Sequence, residues 1–178
     1  MFERFRRERR ARAQARTLYA AVMRVVREPV FYREFGVPDT FEGRFDLLVL
    51  VTCLVMRRLR ALGGDGKPVM QALFDTLFED MDVLLREAGM SDTSVAKKAR
   101  AMASAFYGRG KAYDEALDGP DAHDFAVVVA RNVLGDAAAD SRRLSDFARG
   151  LERALEHKNL EHLVRGELPA VDAVSEAA

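Results

Sequence analysis

The chain has 178 residues, with 28 basic and 28 acidic side chains, 49% apolar residues, five prolines and a single cysteine. A chain of that length buries about 70% of its unfolded surface as one domain without metals or cross-links. The composition excludes large-scale disorder, and the lone Cys53 excludes an internal disulfide. The zero net charge hides a dipole: residues 1–27 hold nine arginines and two glutamates, and the rest of the chain carries the balancing negative charge.

At the amino terminus, Arg4, Arg6, Arg7, Arg9, Arg10, Arg12 and Arg16 form a basic arm. Alanines and arginines follow it where a secretory signal would place its apolar core, and Glu3 and Glu8 oppose a mitochondrial presequence. The arm is attracted to phosphate, in a ribosome or in anionic lipid headgroups, with a strength that falls as salt rises. Folding back onto the acidic body is the other use of the same charges. The longest apolar run, 47–56, is about half of what spans a bilayer. The expected location is the cytoplasm, with a peripheral position at the inner membrane open to the arm.

Helical periodicity runs through the whole chain, and no alternating stretch is long enough to argue for a sheet. The first helix is expected over about 10–28, with Leu18, Ala21, Val22, Val25 and Val26 on one face. The aromatic connection 29–38, with Phe31, Tyr32 and Phe35, is read as an ordered loop packed on the domain. Asp39 and Glu42 have capping-box spacing and open a central helix, apolar almost all round to Arg57 and expected over about 40–62.

After the Gly63–Gly66 turn, Pro68 suits the start of a third helix whose Met70, Leu73, Phe74, Leu77, Phe78, Met81, Leu84 and Leu85 share one face, and Gly89 ends it in the left-handed conformation. A fourth helix starts near Ser94 and meets Gly108 and Gly110, either bending through to Leu117 or breaking in two; the bent single helix is favoured. The valine-rich segment after Asp121 is read as helix because an isolated strand has no partner. The last helix runs over about 141–157, with Leu144, Phe147, Ala148, Leu151 and Leu155 inward, followed by a short extension over 160–164. The expected fold is all-α, a single bundle of about six helices. Residues 1–28 form the arm and first helix, 29–167 the helical body, and 168–178 a flexible tail.

Signatures of catalysis are sparse. Gly63-Gly64-Asp65-Gly66-Lys67 lacks the spacing of a phosphate-binding loop. His123, His157 and His162 have no Glu three residues before them and no mutual four-residue spacing, so neither a di-iron nor a zinc site is read. No cofactor and no catalytic residue are assigned. Buried among apolar neighbours with nothing basic beside it in sequence, Cys53 is read as an inert thiol.

The segment 106–115 is the exception to economical packing. Gly108 and Gly110 each cost a helix interior about 1 kcal/mol relative to alanine, between Phe106, Tyr107 and Tyr113 and ahead of Asp114 and Glu115. Glycines there admit another backbone or a ligand. The two tyrosines are read either as the rim of a core or, with Phe106, as the lining of a groove for an apolar helix of another protein. Met56, Met70, Met81, Met90 and Met102 suit an adaptable groove, though their spacing is also that of a core. Glu79, Asp80 and Asp82 join Asp114 and Glu115 in one acidic edge if the third and fourth helices pack side by side, with Arg109 or Lys111 bridging.

Phe106-Tyr107 and Tyr113-Asp114-Glu115 also resemble the signature of the ubiquinol-cytochrome c chaperone family. Gly36-Val37-Pro38-Asp39-Thr40 before Arg44-Phe45-Asp46, then Arg57-Arg58-Leu59-Arg60, then Phe78-Glu79-Asp80-Met81, resemble the family's preceding helices in order and spacing, over roughly residues 31–135. Where members often place a His-aromatic pair in mid-helix, this chain has Val51-Thr52-Cys53, so no role resting on that histidine is transferred. The resemblance implies a non-catalytic assembly chaperone for the cytochrome bc1 complex whose client is newly made cytochrome b. It also implies a small partner protein, as mitochondrial members have, while DNA is not an expected partner. On that reading the groove is formed by Phe106, Tyr107, Gly108, Gly110, Tyr113, Asp114, Glu115, Glu79 and Asp80. The rivals are a phosphate-surface binding module and an enzyme acting on a small apolar substrate.

Overall fold

The computed structural model describes residues 2–175, and among them every regular element is helical. In chain order these are α1 (Phe2–Val26), α2 (Val30–Arg33), α3 (Phe41–Ala61), α4 (Gly66–Glu87), α5 (Asp92–Asp118) and α6 (Ala122–Val129). A π-helical turn, Ala130–Leu134, continues α6, and α7 (Arg142–Glu156), α8 (Leu160–Val164) and α9 (Val171–Ser175) complete the order. Six of the helices are eight or more residues long, in accord with the all-α bundle of about six.

α3 is the centre. Its residues from Leu47 to Val55 are all buried, and α1, α4, α5, α7 and the π-turn all pack on it. An unbroken apolar run has no face to offer water, so it is stable only where neighbours surround it. The start of α3 differs from the capping-box expectation. Thr40 is the N-cap and accepts from the Gly43 amide at 3.1 Å, while Asp39 is drawn out of capping by the Arg44 guanidinium at 2.6 Å.

α1 begins at Phe2, about two turns before the expected start, so the arginine arm is itself helix. From Ala11 onward Ala11, Ala15, Leu18, Val22 and Val25 are buried, mainly against α4. Tyr19 ties the pair by donating to Asp80 Oδ2 at 2.6 Å. The aromatic connection is ordered, as its composition predicts. Phe31 of α2 is fully buried and meets Phe147 of α7 edge-on at 4.9 Å, while the Tyr32 hydroxyl donates to the Val26 carbonyl at 2.6 Å.

α5 is one helix over 27 residues, with both glycines in its interior. The valine-rich segment is helical too: Phe125, Val129 and Val133 are buried, a spacing of four that the π-turn carries onto α3, and Gly135 closes it with φ +79°. The five apolar positions expected for α7 are all buried.

The segment after residue 168 differs from a loose tail over its described part. Val171 and Val174 are buried, and α9 packs on α7 at Gly150, where a Cβ would lie 2.7 Å from Val174 Cγ1 and 2.8 Å from the Val174 carbonyl. Only a glycine admits α9 there. Gly150→Ala is expected to lower stability by about 1–3 kcal/mol through that overlap. In a chain ending at Ala170 the same change is expected to raise stability by up to about 1 kcal/mol through helix propensity. Urea melts of both variants against their parents check the reversal.

Candidate functional site

The α3–α5 crossing sets the geometry of segment 106–115. Gly110 faces α3 so closely that a Cβ would lie 3.2 Å from Cys53 Sγ. A Cβ on Gly108 would meet nothing within 4 Å, so only Gly110 serves the crossing. Beside it α3, α4 and α5 leave an open groove of about 430 Å³. Cys53 and Met56 of α3, Met70 of α4, and Phe106 and Gly110 of α5 give it an apolar floor. Tyr107, Lys111 and Glu115 stand along one lip, and Arg60, Asp114 and Asp118 along the charged end.

The floor is held by stacked rings. Phe106, 3% exposed, lies 5.3 Å from Phe74 and 6.0 Å from Phe78 in edge-on geometry. Tyr107 lies tilted over Phe74 at 5.1 Å yet is 60% exposed, and an exposed aromatic beside an apolar hollow is the usual anchor of a protein–protein contact. Burial pushes the Cys53 thiol up to about 12, so at neutral pH it stays protonated and serves as a small apolar group.

The charged end is a network that joins three helices. Arg57 of α3 pairs with Asp114 at 3.2 Å and Asp118 at 2.5 Å on α5, and with Glu152 of α7 at 3.3 Å. Arg60 adds a second contact to Asp114 at 2.7 Å. Asp114 is thus fully engaged within the chain. Lys111 and Glu115 are 3.6 Å apart and both well exposed, a pairing weak enough to be exchanged for another partner's charges.

Tyr113 is not a groove residue. It is 1% exposed, points away from the hollow toward Phe125 at 6.4 Å, and burial raises its hydroxyl pKa. Its oxygen and the Asn132 amide nitrogen of the π-turn are both buried without a well-formed hydrogen bond. Six residues from Tyr107 on an α-helix is a rotation of about 240°, which is why the two rings part. The single acidic edge also dissolves. α4 and α5 do pack together, but Asp80 turns to Tyr19 of α1, Asp82 to Arg86, and Asp114 to α3. Glu79 is exposed away from the groove. Arg109 bridges to none of these acids and pairs with Asp46 of α3 at 2.5 Å, whereas Lys111 does reach Glu115.

The sequence reading missed Arg57, Arg60, Asp118 and Phe74 as site residues. A signal existed for the charged end: Arg57 and Arg60 are three apart, and Asp114 and Asp118 four apart, so each pair shares a helical face. Nothing in the sequence said that those two faces meet. Among the described residues no group of three His, Cys, Asp or Glu side chains is placed to hold a metal, and no helix is long and apolar enough to cross a membrane.

An all-helical body that keeps an open apolar groove with an aromatic lip has the architecture of a protein-binding scaffold. Over residues 33–170 the sequence matches the family described as Ubiquinol-cytochrome C chaperone. It is 25% identical over 137 residues to the ubiquinol-cytochrome c reductase complex assembly factor 1 of Mus musculus, covering 75% of this chain and 46% of that protein. It is 25% identical over 114 residues to the assembly factor 1 of Xenopus laevis, covering 64% of this chain and 56% of that one. The chain spans about half the length of these relatives. The crystal structure of the Cbp3 homolog from Brucella abortus superposes with a TM-score of 0.81 at 31% identity, over 96% of this chain and 97% of that one. The chain belongs to the ubiquinol-cytochrome C chaperone family.

Asp46, at the far side of the crossing, makes the electrostatics testable. Desolvation raises its pKa above 3.8, and Arg109 opposes the rise through charge and hydrogen bonding. Because the folded value is the higher one, the folded chain takes up this proton first. Asp46's contribution to stability therefore grows as pH falls through the folded value and levels off below the unfolded one. Arg109→Met is expected to move the Asp46 midpoint further up in a carboxyl NMR titration; a downward move would break the assignment of Arg109 as its partner.

Proposed function

We propose that this chain is a non-catalytic assembly chaperone for the ubiquinol-cytochrome c reductase complex, and that its groove holds an apolar helical segment of newly made cytochrome b. The observation that carries the reading is the apolar hollow between α3, α4 and α5, lined by Met56, Met70, Phe106 and Gly110 and overhung by the exposed Tyr107. Methionines adapt to irregular apolar surfaces, and a groove of this kind receives a helix through side chains on one of its faces. Family membership and the similarity to two complex assembly factors support the choice of complex. The working place is the cytoplasm, at the periphery of the inner membrane, where a membrane subunit becomes available as it is made. A ribosome and a small partner protein belong to the same reading as further contacts.

A photocrosslinking residue at position 107 is expected to capture cytochrome b in cells assembling the complex, and the same residue at position 79 is not. Tyr107→Ala is expected to reduce capture several-fold while changing stability by less than about 0.5 kcal/mol, as an exposed substitution does. Tyr113→Ala is expected instead to cost about 3–5 kcal/mol of stability. Undiminished capture by Tyr107→Ala with Met70→Asp would remove the groove as the binding site.

A further inference from the structure

The amino-terminal turns of α1 are used by neither the fold nor the groove. Every residue from Phe5 to Arg10 is exposed, and the first buried position after them is Ala11. A helix exposed all round projects beyond the body that holds it, and residues 5–10 amount to about 9 Å of such projection. Phe5, Arg9, Arg12 and Arg16 are spaced four, three and four apart, which places them in one row along the helix. The buried row, Ala11, Ala15, Leu18 and Val22, lies on another side. Arg9, Arg12 and Arg16 are exposed, and among the described residues none of them forms an ion pair with the acidic body. Arg6, Arg7 and Arg10 surround the same turns. The side chain of Arg4 lies outside those described.

Phe5 decides the chemistry of the partner. It is 58% exposed at one end of the row, a phenyl ring more than half open to solvent. A helix that aligns guanidinium groups with an exposed aromatic ring fits a surface that offers negative charge and, just beneath it, hydrocarbon. That is the headgroup and acyl boundary of an anionic bilayer. Duplex RNA matches the arginines but keeps its bases paired inside, so only an unstacked loop base would meet the ring, whereas every part of an anionic bilayer surface offers hydrocarbon beneath its charge.

We propose that the projecting turns of α1 dock this protein on anionic lipid, with Arg9, Arg12 and Arg16 on the headgroups and Phe5 inserted at their edge. The contact is independent of the α3–α5 groove, which lies on other helices. It converts the chain's charge dipole into an orientation: the basic end meets the membrane and the acidic body stands away from it.

Cosedimentation of the full chain with phosphatidylcholine vesicles, with and without phosphatidylglycerol, tests the proposal. Binding is expected only to the anionic vesicles and is expected to weaken as salt rises. Each arginine removed is expected to lower partition about fivefold, so Arg9→Gln with Arg12→Gln and Arg16→Gln lowers it about a hundredfold. Phe5→Ser is expected to lower binding severalfold while leaving its salt dependence unchanged. The substituted side chains are all exposed, and thermal melts matching the parent confirm that the fold is intact. Equal partition of the triple variant and the parent would overturn the proposal. So would salt-sensitive binding to ribosomal RNA by a chain that ignores anionic vesicles, which would reassign the row to RNA.

Discussion

Nine successive buried residues in α3 leave no direction along which that helix can face solvent, and the rest of the bundle follows from the need to enclose it. Each fully buried large aliphatic side chain contributes about 1.5–3 kcal/mol relative to exposure, but only if helices stand on every side. α1, α4, α5, α7 and the π-turn share that task. The continuation of α6 into a π-turn keeps Phe125, Val129 and Val133 buried together against it. Gly110 is part of the same solution, since a side chain there would crowd Cys53 on the central helix.

Enclosure is incomplete near Cys53 and Met56, and there the groove opens. α4 and α5 converge through Phe74, Phe78 and Phe106, and beside those rings a gap remains that no described side chain fills. Arg57 fixes its charged end by drawing α5 and α7 to α3 through Asp114, Asp118 and Glu152. A hydrogen-bonded network that is half-buried resists screening better than isolated surface pairs, so the end is rigid while Tyr107, Lys111 and Glu115 on the lip stay free to adapt. On the proposed reading, such a division suits a scaffold that holds an apolar segment.

The groove and the projecting end of α1 use different physics. One excludes water from apolar surface and depends little on salt; the other is a Coulombic attraction that salt screens, with a single ring for added depth. They sit on different helices: none of the residues that line the hollow belongs to α1. The excess of basic residues in 1–27 over the rest of the chain adds an orienting field toward a negatively charged surface.

The sequence by itself determined the helical class, the central position of α3, the buried face of α7 and the place of segment 106–115 as unusual, because periodicity and an unbroken apolar run are local properties. It also carried the family resemblance in short motifs of correct order. Only the tertiary structure decided that Gly110 and not Gly108 serves a close approach, and that Tyr107 faces the groove while Tyr113 joins the core. It likewise sent Asp80 to α1 and Asp114 to α3 and docked Val171 and Val174 on α7. The physical reason is common to all four. Each depends on which face of one helix meets which face of another, and that is set by packing between different helices, 12 to 61 residues apart in the contacts named here, a relation that no local pattern carries.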